Sequence, residues 1–266
     1  MNILSGDIVS VHIIVCIKSV VKAAPQGVAK RTPDNSELNP FDRPALEAAL
    51  GIRERHGGSV TVLTMGPPVS TEVLAEAQAM GTDRAVLVSD RALAESDTLV
   101  TSKVLATAIN KIGTFDLLFF GTRTADSDTG QVGPQTAALL DIAFVSNVKT
   151  ITAQEDGWEV ERTMDAWEEN WQVASPMAAT INPRAFAPRP VGLVGISMVY
   201  EEPAIEQWSL TDLGLRAEEV GLMGSPTRVA ALKKIKRNRK CDMLEGEPQE
   251  QVAELMARLT KMGAID

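Results

Sequence analysis

A chain of 266 residues with a net charge of −9 can form one large domain with appendages, and its acidity argues against a general nucleic-acid binder. The cysteines, Cys16 and Cys241, are too few and too far apart for a disulfide framework or a zinc site. No apolar run is long enough to insert into a bilayer, and residues 1–10 lack the features of a secretory signal, so we expect a cytoplasmic protein.

The first half of the chain alternates apolar runs with helix candidates. Continuous apolar runs, typical of strands covered on both faces, occupy residues 11–17, 59–65, 84–89 and 115–120. Helices are predicted over residues 42–56, 71–80, 95–111 and 131–140, with Asp42 as a plausible N-cap of the first. Because short connections of this kind require right-handed crossovers, the pattern predicts an α/β fold with a parallel sheet and helices on both faces.

The second half follows a different pattern. Residues 145–152 and 158–163 predict a β-hairpin, and residues 177–181 predict a further strand. Residues 183–205 carry several prolines and predict a long ordered loop or docking segment. Residues 248–262 predict an amphipathic helix. We therefore expect a nucleotide-binding α/β domain with a hairpin extension over residues 1–182, and a Pro-rich segment with an extended C-terminal arm over residues 183–266.

The segment 121–134 reads GTRTADSDTGQVGP and follows a predicted strand. A strand that ends in a turn rich in glycine and hydroxyl groups, and then opens a helix, offers backbone N–H groups and a helix dipole to a phosphate. The segment matches neither the dinucleotide fingerprint GxGxxG nor the P-loop pattern. The residues alone leave two interpretations open, a phosphate-binding turn and an ordinary polar turn between a strand and a helix.

Several motifs in a fixed order resemble one family, the β (small) subunit of electron-transfer flavoprotein, which includes FixA. The resemblance covers most of the chain from Val11 to the C-terminal helix. The motifs are VCIK at 15–18, LNPFD at 38–42, LTMGP at 63–67, AMGTDR at 79–84, the segment 121–134, and GSPTR at 224–228.

The resemblance implies an adenine-nucleotide-binding core of the HUP type and a heterodimer with an α subunit that carries FAD. The C-terminal arm would pack on that α subunit. The β subunit of ordinary members holds a structural AMP, whereas electron-bifurcating members hold a second FAD that can meet NADH. Ordinary members carry Asn-Gln-Thr-Gly where this chain has Gly130–Gly133. The loop therefore resembles that of the FAD-binding members, and we expect FAD, with AMP as the alternative and NADH as a candidate electron donor.

Carried over by position, the resemblance implies three groups of nucleotide contacts, and no catalytic residue or metal ligand. The adenine pocket would be lined, largely through backbone, by Cys16, Ile17 and Lys18. The adenosine, with its base and ribose, would be approached by Asn39, Asp42, Met65, Gly66 and Pro67. The phosphate and the chain beyond it would be held by Thr122, Arg123, Thr124, Asp128, Thr129, Gly130, Gln131 and Val132.

Alternatives remain at this point. The ordinary family docks acyl-CoA dehydrogenases through a Leu-Pro-Asn-Ile-Met-Lys-Ala-Lys-like segment, and residues 190–198 of this chain differ from it, so the partner is an unspecified dehydrogenase or membrane oxidoreductase. A housekeeping carrier with AMP is one alternative. A stand-alone adenine-nucleotide-binding stress or signalling module is another. The basic run at 233–240 could neutralise phosphate or form a solvated linker.

Overall fold

The computed structural model describes residues 10–21, 32, 35–201, 203–230 and 241–265, and the chain divides into two compact units, Met1–Arg228 and Val229–Asp266. The basic run at 233–240 lies outside the described residues.

The first unit is built on a nine-stranded sheet in the order β11-β5-β4-β1-β6-β10-β7-β8-β9. Pairing is parallel from β11 to β7 and antiparallel from β7 through β8 to β9. Strands β2 and β3 form a separate antiparallel pair. The strands are β1 (Val11–Cys16), β2 (Ser19–Val21), β3 (Ser36–Leu38), β4 (Gly58–Met65), β5 (Arg84–Val88), β6 (Leu117–Gly121), β7 (Ala143–Gln154), β8 (Gly157–Met164), β9 (Trp167–Val173), β10 (Met177–Ile181) and β11 (Ile205–Trp208).

Helices cover both faces of the sheet. Alternate residues of β1 show this, because Ile13 and Val15 belong to one buried cluster with side chains of α1 and α2, whereas Ile14 and Cys16 belong to a second cluster with side chains of α3. The α/β fold with a mainly parallel sheet is therefore confirmed. The helices of this unit are α1 (Arg43–His56), α2 (Thr71–Met80), α3 (Thr98–Ile112), α4 (Val132–Leu139), α5 (Leu193–Glu201), α6 (Leu210–Leu213) and α7 (Gly221–Gly224).

Residues 183–205 differ from the sequence prediction of a long loop. They contain α5, which packs on α2. Gly195 makes this close approach possible, because a Cβ atom there would overlap the backbone carbonyl of Ala79. The chain then enters the sheet as β11 beside β5, so the first compact unit continues to Arg228 and does not end at the predicted boundary after residue 182.

The second unit contains one long described helix, α8 (Pro248–Lys261). Glu247 and Glu250 form a capping box at its N-terminus, and Pro248 occupies the first helical position. Val252, Leu255 and Met256 are exposed on it, as an amphipathic helix would present them. The packing of this helix on an α subunit stays a prediction. In the part of the chain that the structure describes, no helix is both long and apolar enough to cross a membrane.

Candidate functional site

The topology brings three of the predicted segments to one edge of the sheet. Strand β1 lies between β4 and β6, because the chain runs from β1 through β4 to β5 and then returns to the opposite side of β1. In open parallel sheets, ligands bind beyond the carboxyl ends of the strands where the strand order reverses. The carboxyl ends of β1, β4 and β6 meet at that edge with the residues that follow them, and the segments concerned are Cys16–Lys18, Met65–Pro67 and the loop 122–132.

Residues 16–18 use much of their hydrogen-bonding capacity within the protein. The N–H of Ile17 donates to the Leu63 carbonyl at 2.9 Å, and the Lys18 carbonyl accepts from the N–H of Asn39 at 2.9 Å. Cys16 and Ile17 are buried. Burial, with a smaller contribution from the charge of Asp42, raises the pKa of the Cys16 thiol above its usual range. The thiol is therefore a protonated core group.

Asn39 and Asp42 are buried, at 0% and 4% exposure, and connect two of the loops. The Asp42 carboxylate accepts the backbone N–H of Lys18 at 2.8 Å on one oxygen and the Asn39 amide at 2.8 Å on the other. The Asn39 amide also donates to the Arg123 carbonyl at 2.9 Å, and its oxygen accepts the N–H of Ala125 at 3.2 Å. The two side chains thus join the loop after β1 to the loop after β6.

Asp42 stands at the N-cap position of α1, as the sequence predicts, but in the described structure its side chain makes no capping hydrogen bond. The carboxylate is directed at Lys18 and Asn39, and the N–H of Gly121 is a further donor to it. Burial raises the pKa of Asp42 to about 7, although these hydrogen bonds and the charge of Lys18 act in the opposite direction. Aspartate is a favoured N-cap residue, but this side chain hydrogen-bonds to groups at the sheet edge and not to the first turn of α1.

Gly121, the last residue of β6, allows segment 39–42 to approach the sheet. A Cβ atom there would overlap the Asp42 carboxylate and would lie 2.7 Å from the Phe41 carbonyl oxygen. The Arg123 guanidinium, two residues later, lies 4.6 Å from the centre of the Phe41 ring in a cation–π contact. Three neighbouring residues of one motif, Asn39, Phe41 and Asp42, therefore support the start of the loop 122–132.

The loop itself is largely exposed, in contrast to its support. Residues 125–131 are all exposed, whereas Thr122 and Thr124 are half-buried. Two ion pairs involve the loop. Lys18 pairs with Asp126 at 2.7 Å, and Arg123 pairs with Asp128, within the loop, at 3.6 Å. Asp128 and Gly130 adopt positive φ angles of 53° and 63°. Gly130 meets this demand without strain, because it has no Cβ atom.

The donors at the end of the loop suit an anionic group such as a phosphate. Helix α4 begins at Val132, and among the described residues no side chain caps it. The N–H groups of its first turn therefore remain for an acceptor, and the helix dipole favours a negative one. Lys18 and Arg123 add positive charge at the same edge, and both also pair with carboxylates of the loop.

At the end of β4, Met65 and Gly66 are half-buried and Pro67 is exposed. The N–H of Gly66 donates to the Val88 carbonyl at 3.0 Å, which fixes the turn after β4 against β5. The structure thus brings residues 16–18, 65–67 and 122–132 to one edge. It places Asn39 and Asp42 beneath that edge, with their polar atoms bonded to the protein.

Comparison with known proteins identifies the family. The model of the electron transfer flavoprotein domain matches residues 26–213. The chain belongs to the electron-transfer flavoprotein family. It is 39% identical over 230 residues to the electron transfer flavoprotein subunit beta of Thermoanaerobacterium thermosaccharolyticum, covering 86% of this chain and 88% of the relative.

Two further relatives extend the similarity within the family. The chain is 41% identical to the caffeyl-CoA reductase–Etf complex subunit CarD of Acetobacterium woodii, over 82% of this chain and 86% of that one. It is 39% identical to protein FixA of Azorhizobium caulinodans, over 82% of each chain. The chain is thus a homologue of β subunits and FixA proteins, and its function is electron transfer.

The structure also explains the last family motif, at 224–228, which sequence reasoning left without a role. Asp97, the N-cap of α3, accepts the N–H of Thr227 at 3.0 Å and its hydroxyl at 2.7 Å. The hydroxyl of Ser225 accepts the N–H of Asp97 at 2.9 Å. Thr98, the next residue, hydrogen-bonds to Gln131 at 2.9 Å. The motif therefore fastens the end of the first unit beside the loop 122–132.

Phe41 and Gly121 are two residues of this edge that the predicted contact set missed. Both lie inside the family motifs, at LNPFD and at the start of segment 121–134. Their importance depends on a close approach between segments far apart in the sequence, and the motif letters do not reveal that approach.

Proposed function

We propose that the chain is the β subunit of a heterodimeric electron-transfer flavoprotein and that the nucleotide at its sheet edge is FAD, with AMP as the alternative. The observation that carries this choice is the end of the loop. Gly130 has a φ angle of 63°, Val132 begins α4, and neither side chain can hydrogen-bond to a phosphate. Backbone N–H groups are left for the ligand, and the lack of a side chain at Gly130 leaves space for a diphosphate and its chain.

The residues of the site would each have a limited task. The first turn of α4 and the backbone near Gly130 would bind the phosphates, while Lys18 and Arg123 would offset their charge. The turns after β1 and β4 would border the adenosine. When bound, a flavin supplies the redox chemistry, and the protein supplies its position and electrostatic surroundings.

The partners follow from the family. An α subunit would complete the heterodimer, and the segment 183–266, with α8, would pack on it. One relative is named as a subunit of a caffeyl-CoA reductase–Etf complex. By analogy, electrons would pass between NADH or a dehydrogenase and another acceptor, in a bifurcating type of complex. We place this complex in the cytoplasm, as the composition predicts.

The test is a titration of the heterodimer, freed of nucleotide, with FAD and with AMP in separate experiments. The wild-type complex should bind FAD more tightly than AMP. The double variant Gly130→Asn/Val132→Thr restores the polar side chains of ordinary members and should shift the preference toward AMP. Asn tolerates the left-handed backbone at 130 better than most residues do, so the fold should persist.

The matched control is Gly130→Ala/Val132→Ala, which changes the shape of the loop without adding a hydrogen-bonding group. It should weaken both nucleotides without favouring AMP. Tighter binding of AMP than of FAD by the wild-type complex would contradict the proposal.

A housekeeping carrier with AMP is the second candidate, and one observation favours it. Both cations of the edge already pair with carboxylates, Lys18 with Asp126 and Arg123 with Asp128, which leaves less positive charge for a diphosphate. Reduction by NADH separates the two functions further. The FAD-binding complex should be reduced rapidly by NADH without an added dehydrogenase, and a complex inert to NADH would not be of the bifurcating type.

A further inference from the structure

We propose that Asp97 and Thr98 are positioning residues, which couple the motif 224–228 to the loop 122–132. The motif lies where the chain passes from the first unit into the second, and the loop is the proposed phosphate-binding segment. This inference rests on the proposed function only in taking the ligand of the loop to be an adenine nucleotide, and it holds for FAD and for AMP alike. It predicts that nucleotide binding at the loop and attachment of the motif stabilise each other.

The two carboxylate oxygens of Asp97 serve two different segments. Oδ1 accepts the N–H of Val100 at 3.0 Å and so caps α3. Oδ2 accepts the N–H of Thr227 at 3.0 Å and its hydroxyl at 2.7 Å. Although desolvation opposes the charge, these hydrogen bonds lower the pKa of Asp97, so the carboxylate is ionised at neutral pH. Hydrogen bonds to an ionised acceptor are stronger than those between neutral groups, and they attach the motif to the start of α3.

Ser225 gives the same motif a second attachment. Its side chain is buried, and its hydroxyl accepts the N–H of Asp97 at 2.9 Å and donates to the Gly221 carbonyl at 2.6 Å. A Cβ atom at Gly221 would overlap the Ala92 carbonyl, so the close approach of this segment requires glycine. The motif is therefore fixed to Asp97 through the backbone of that residue as well as through its side chain.

Thr98, the first residue of α3, makes the contact with the loop. Its hydroxyl donates to the side-chain oxygen of Gln131 at 2.9 Å. Gln131 occupies the N-cap position of α4, and in the described structure its side chain does not cap that helix. The amide oxygen is bonded to Thr98, so the N–H groups of the same amide can donate to an acceptor on the nucleotide. Thr98 thus orients a side chain of the proposed phosphate site.

The starts of α3 and α4 are also packed together. The Ser102 hydroxyl, which is buried, donates to the Thr98 carbonyl at 2.7 Å and lies 3.3 Å from the Val132 carbonyl. Val132 follows Gln131 and is the first residue of α4. Closely packed groups transmit a displacement to their neighbours. Release of Asp97 from the motif should therefore shift Thr98 and, with it, the Gln131 amide.

Coupling of this kind acts in both directions. The two states are the attached motif, in which Thr227 is bonded to Asp97, and the released motif. If a nucleotide binds more weakly to the released state, then the bound nucleotide must make release rarer by the same factor. The chain enters its second unit directly after this motif, so nucleotide binding should also stabilise the base of the C-terminal arm.

The first measurement is calorimetric titration of the complete heterodimer, freed of nucleotide, with FAD and with AMP in separate experiments. Asp97→Ser keeps a favoured N-cap residue for α3 but removes the acceptor of Thr227. Thr98→Val removes the donor to Gln131. Each variant should weaken both nucleotides by about tenfold, since one hydrogen bond of the connection is lost. The double variant should be weakened no more than the more affected single variant, because the two contacts act in series.

The second measurement is hydrogen exchange of the backbone N–H of Thr227, which donates to Asp97. In wild type, saturating FAD should slow this exchange by about the factor by which Asp97→Ser weakens FAD. In Thr98→Val, FAD should leave the exchange unchanged, although the N–H and its acceptor are both present. A purely structural role for Thr98 would not produce this difference.

Two controls separate coupling from general destabilisation. Thr107→Val is matched to Thr98→Val, because it removes a hydroxyl that donates within α3, to the Lys103 carbonyl at 2.8 Å. Ile52→Val removes a methylene group from the buried part of α1 and should lower the melting temperature. Both variants should bind FAD as wild type does, and in both FAD should still slow the exchange at Thr227.

Unchanged FAD affinity in Asp97→Ser, or exchange at Thr227 that FAD does not slow in wild type, would overturn the proposal. Additive losses in the double variant would overturn it as well. If Asp97→Ser does not assemble, Thr98→Val and the wild-type exchange decide. A wild-type preference for AMP would instead refute the choice of FAD. In that case weaker AMP binding by Thr98→Val would still support the coupling, and unchanged AMP binding would overturn it.

Discussion

Two carboxylates near the start of α1, Asp42 and Glu47, are held in different ways. Asp42 is buried and receives only neutral N–H donors apart from the nearby charge of Lys18, and burial raises its pKa to about 7. Glu47 is half-buried and receives the guanidinium of Arg189 at 2.8 and 2.9 Å, which lowers its pKa below the usual range. Desolvation destabilises the ionised form of Asp42, whereas the opposite charge of Arg189 stabilises the ionised form of Glu47.

The difference indicates what each contact does for the molecule. Asp42 joins the loops that follow β1 and β6 at one edge of the sheet. Glu47, together with Glu54, binds Arg189 and so fastens the segment after β10 to the side of α1. A buried carboxylate that has no ion pair among the described residues is expensive, and its position at a sheet edge points to a functional requirement. A partly exposed ion pair is an ordinary structural fastening.

Gly121→Ala should have the largest effect on the contacts of Asp42. The added Cβ atom would overlap the Asp42 carboxylate, so segment 39–42 must move away from β6. We expect FAD affinity to fall by more than about a hundredfold and stability to fall by about 1–3 kcal/mol. Calorimetric titration and thermal melting of the heterodimer measure the two effects.

The control for that variant is Gly51→Ala within α1, where no described atom lies within 4 Å of the added Cβ. It should stabilise the protein by about 0.5–1 kcal/mol, because alanine is the better helix former, and should leave affinity unchanged. Normal FAD binding by Gly121→Ala would show that the close approach is not needed.

Asn39→Ala should have the next largest effect on the nucleotide. It removes the bonds to Asp42, the Arg123 carbonyl and the N–H of Ala125, and leaves buried groups without partners. We expect a destabilisation of about 1–3 kcal/mol and a loss of FAD affinity of about tenfold to hundredfold. Equal losses of stability in Asn39→Ala and Ile52→Val, with equal affinities, would reduce Asn39 to a packing residue.

The pH dependence of stability should have opposite signs for the two carboxylates. The pKa of Asp42 is raised from 3.8 to about 7, so its stabilising contribution is complete below about pH 4 and is lost as the pH rises through about 7. The pKa of Glu47 is lowered, so its contribution is present above the usual glutamate range and is lost as the pH falls.

Denaturant unfolding of the nucleotide-free complex across this range, for wild type, Asp42→Asn and Glu47→Gln, measures both slopes. Relative to Asp42→Asn, wild type should lose stability as the pH rises from 4 to 7. Slopes of the same sign for the two variants would contradict the distinction between the carboxylates.

Arg189→Ala should have the smallest effect and none on the nucleotide. It removes the cation that holds Glu47 and Glu54, and exposure of the pair to solvent limits the expected loss of stability to about 0.5–1 kcal/mol. Arg189→Lys keeps the charge without the bidentate geometry, and its stability should lie between that of wild type and that of Arg189→Ala. A change in FAD affinity in either variant would mean that this fastening also shapes the site.

The sequence predicts the strands and helices that surround β1, because their buried runs and helical segments carry strong local patterns. It misses α5, where prolines before the helix and two glycines suggest a loop, and where the missing Cβ of Gly195 matters only because Ala79 lies against it. It also misses β9 and β11. Neither has the continuous burial of the central strands, and β11 is defined by pairing with β5, a distant segment.

The site shows the same limit. The resemblance assigns the residues at the ends of β1, β4 and β6 to one binding site, and the structure brings these residues to one edge of the sheet. The motifs do not reveal that Asn39 reaches a loop 84 residues further along the chain. Such non-local contacts become visible only in the folded chain.

The binding of FAD at the sheet edge of this chain can be checked by measuring the nucleotide content of the purified heterodimer. The complex would be denatured, and the released flavin and adenine nucleotides would be separated and quantified against the protein. We expect a flavin for each of the two nucleotide sites of the complex and no AMP. A flavin at one site with a stoichiometric amount of AMP would contradict it.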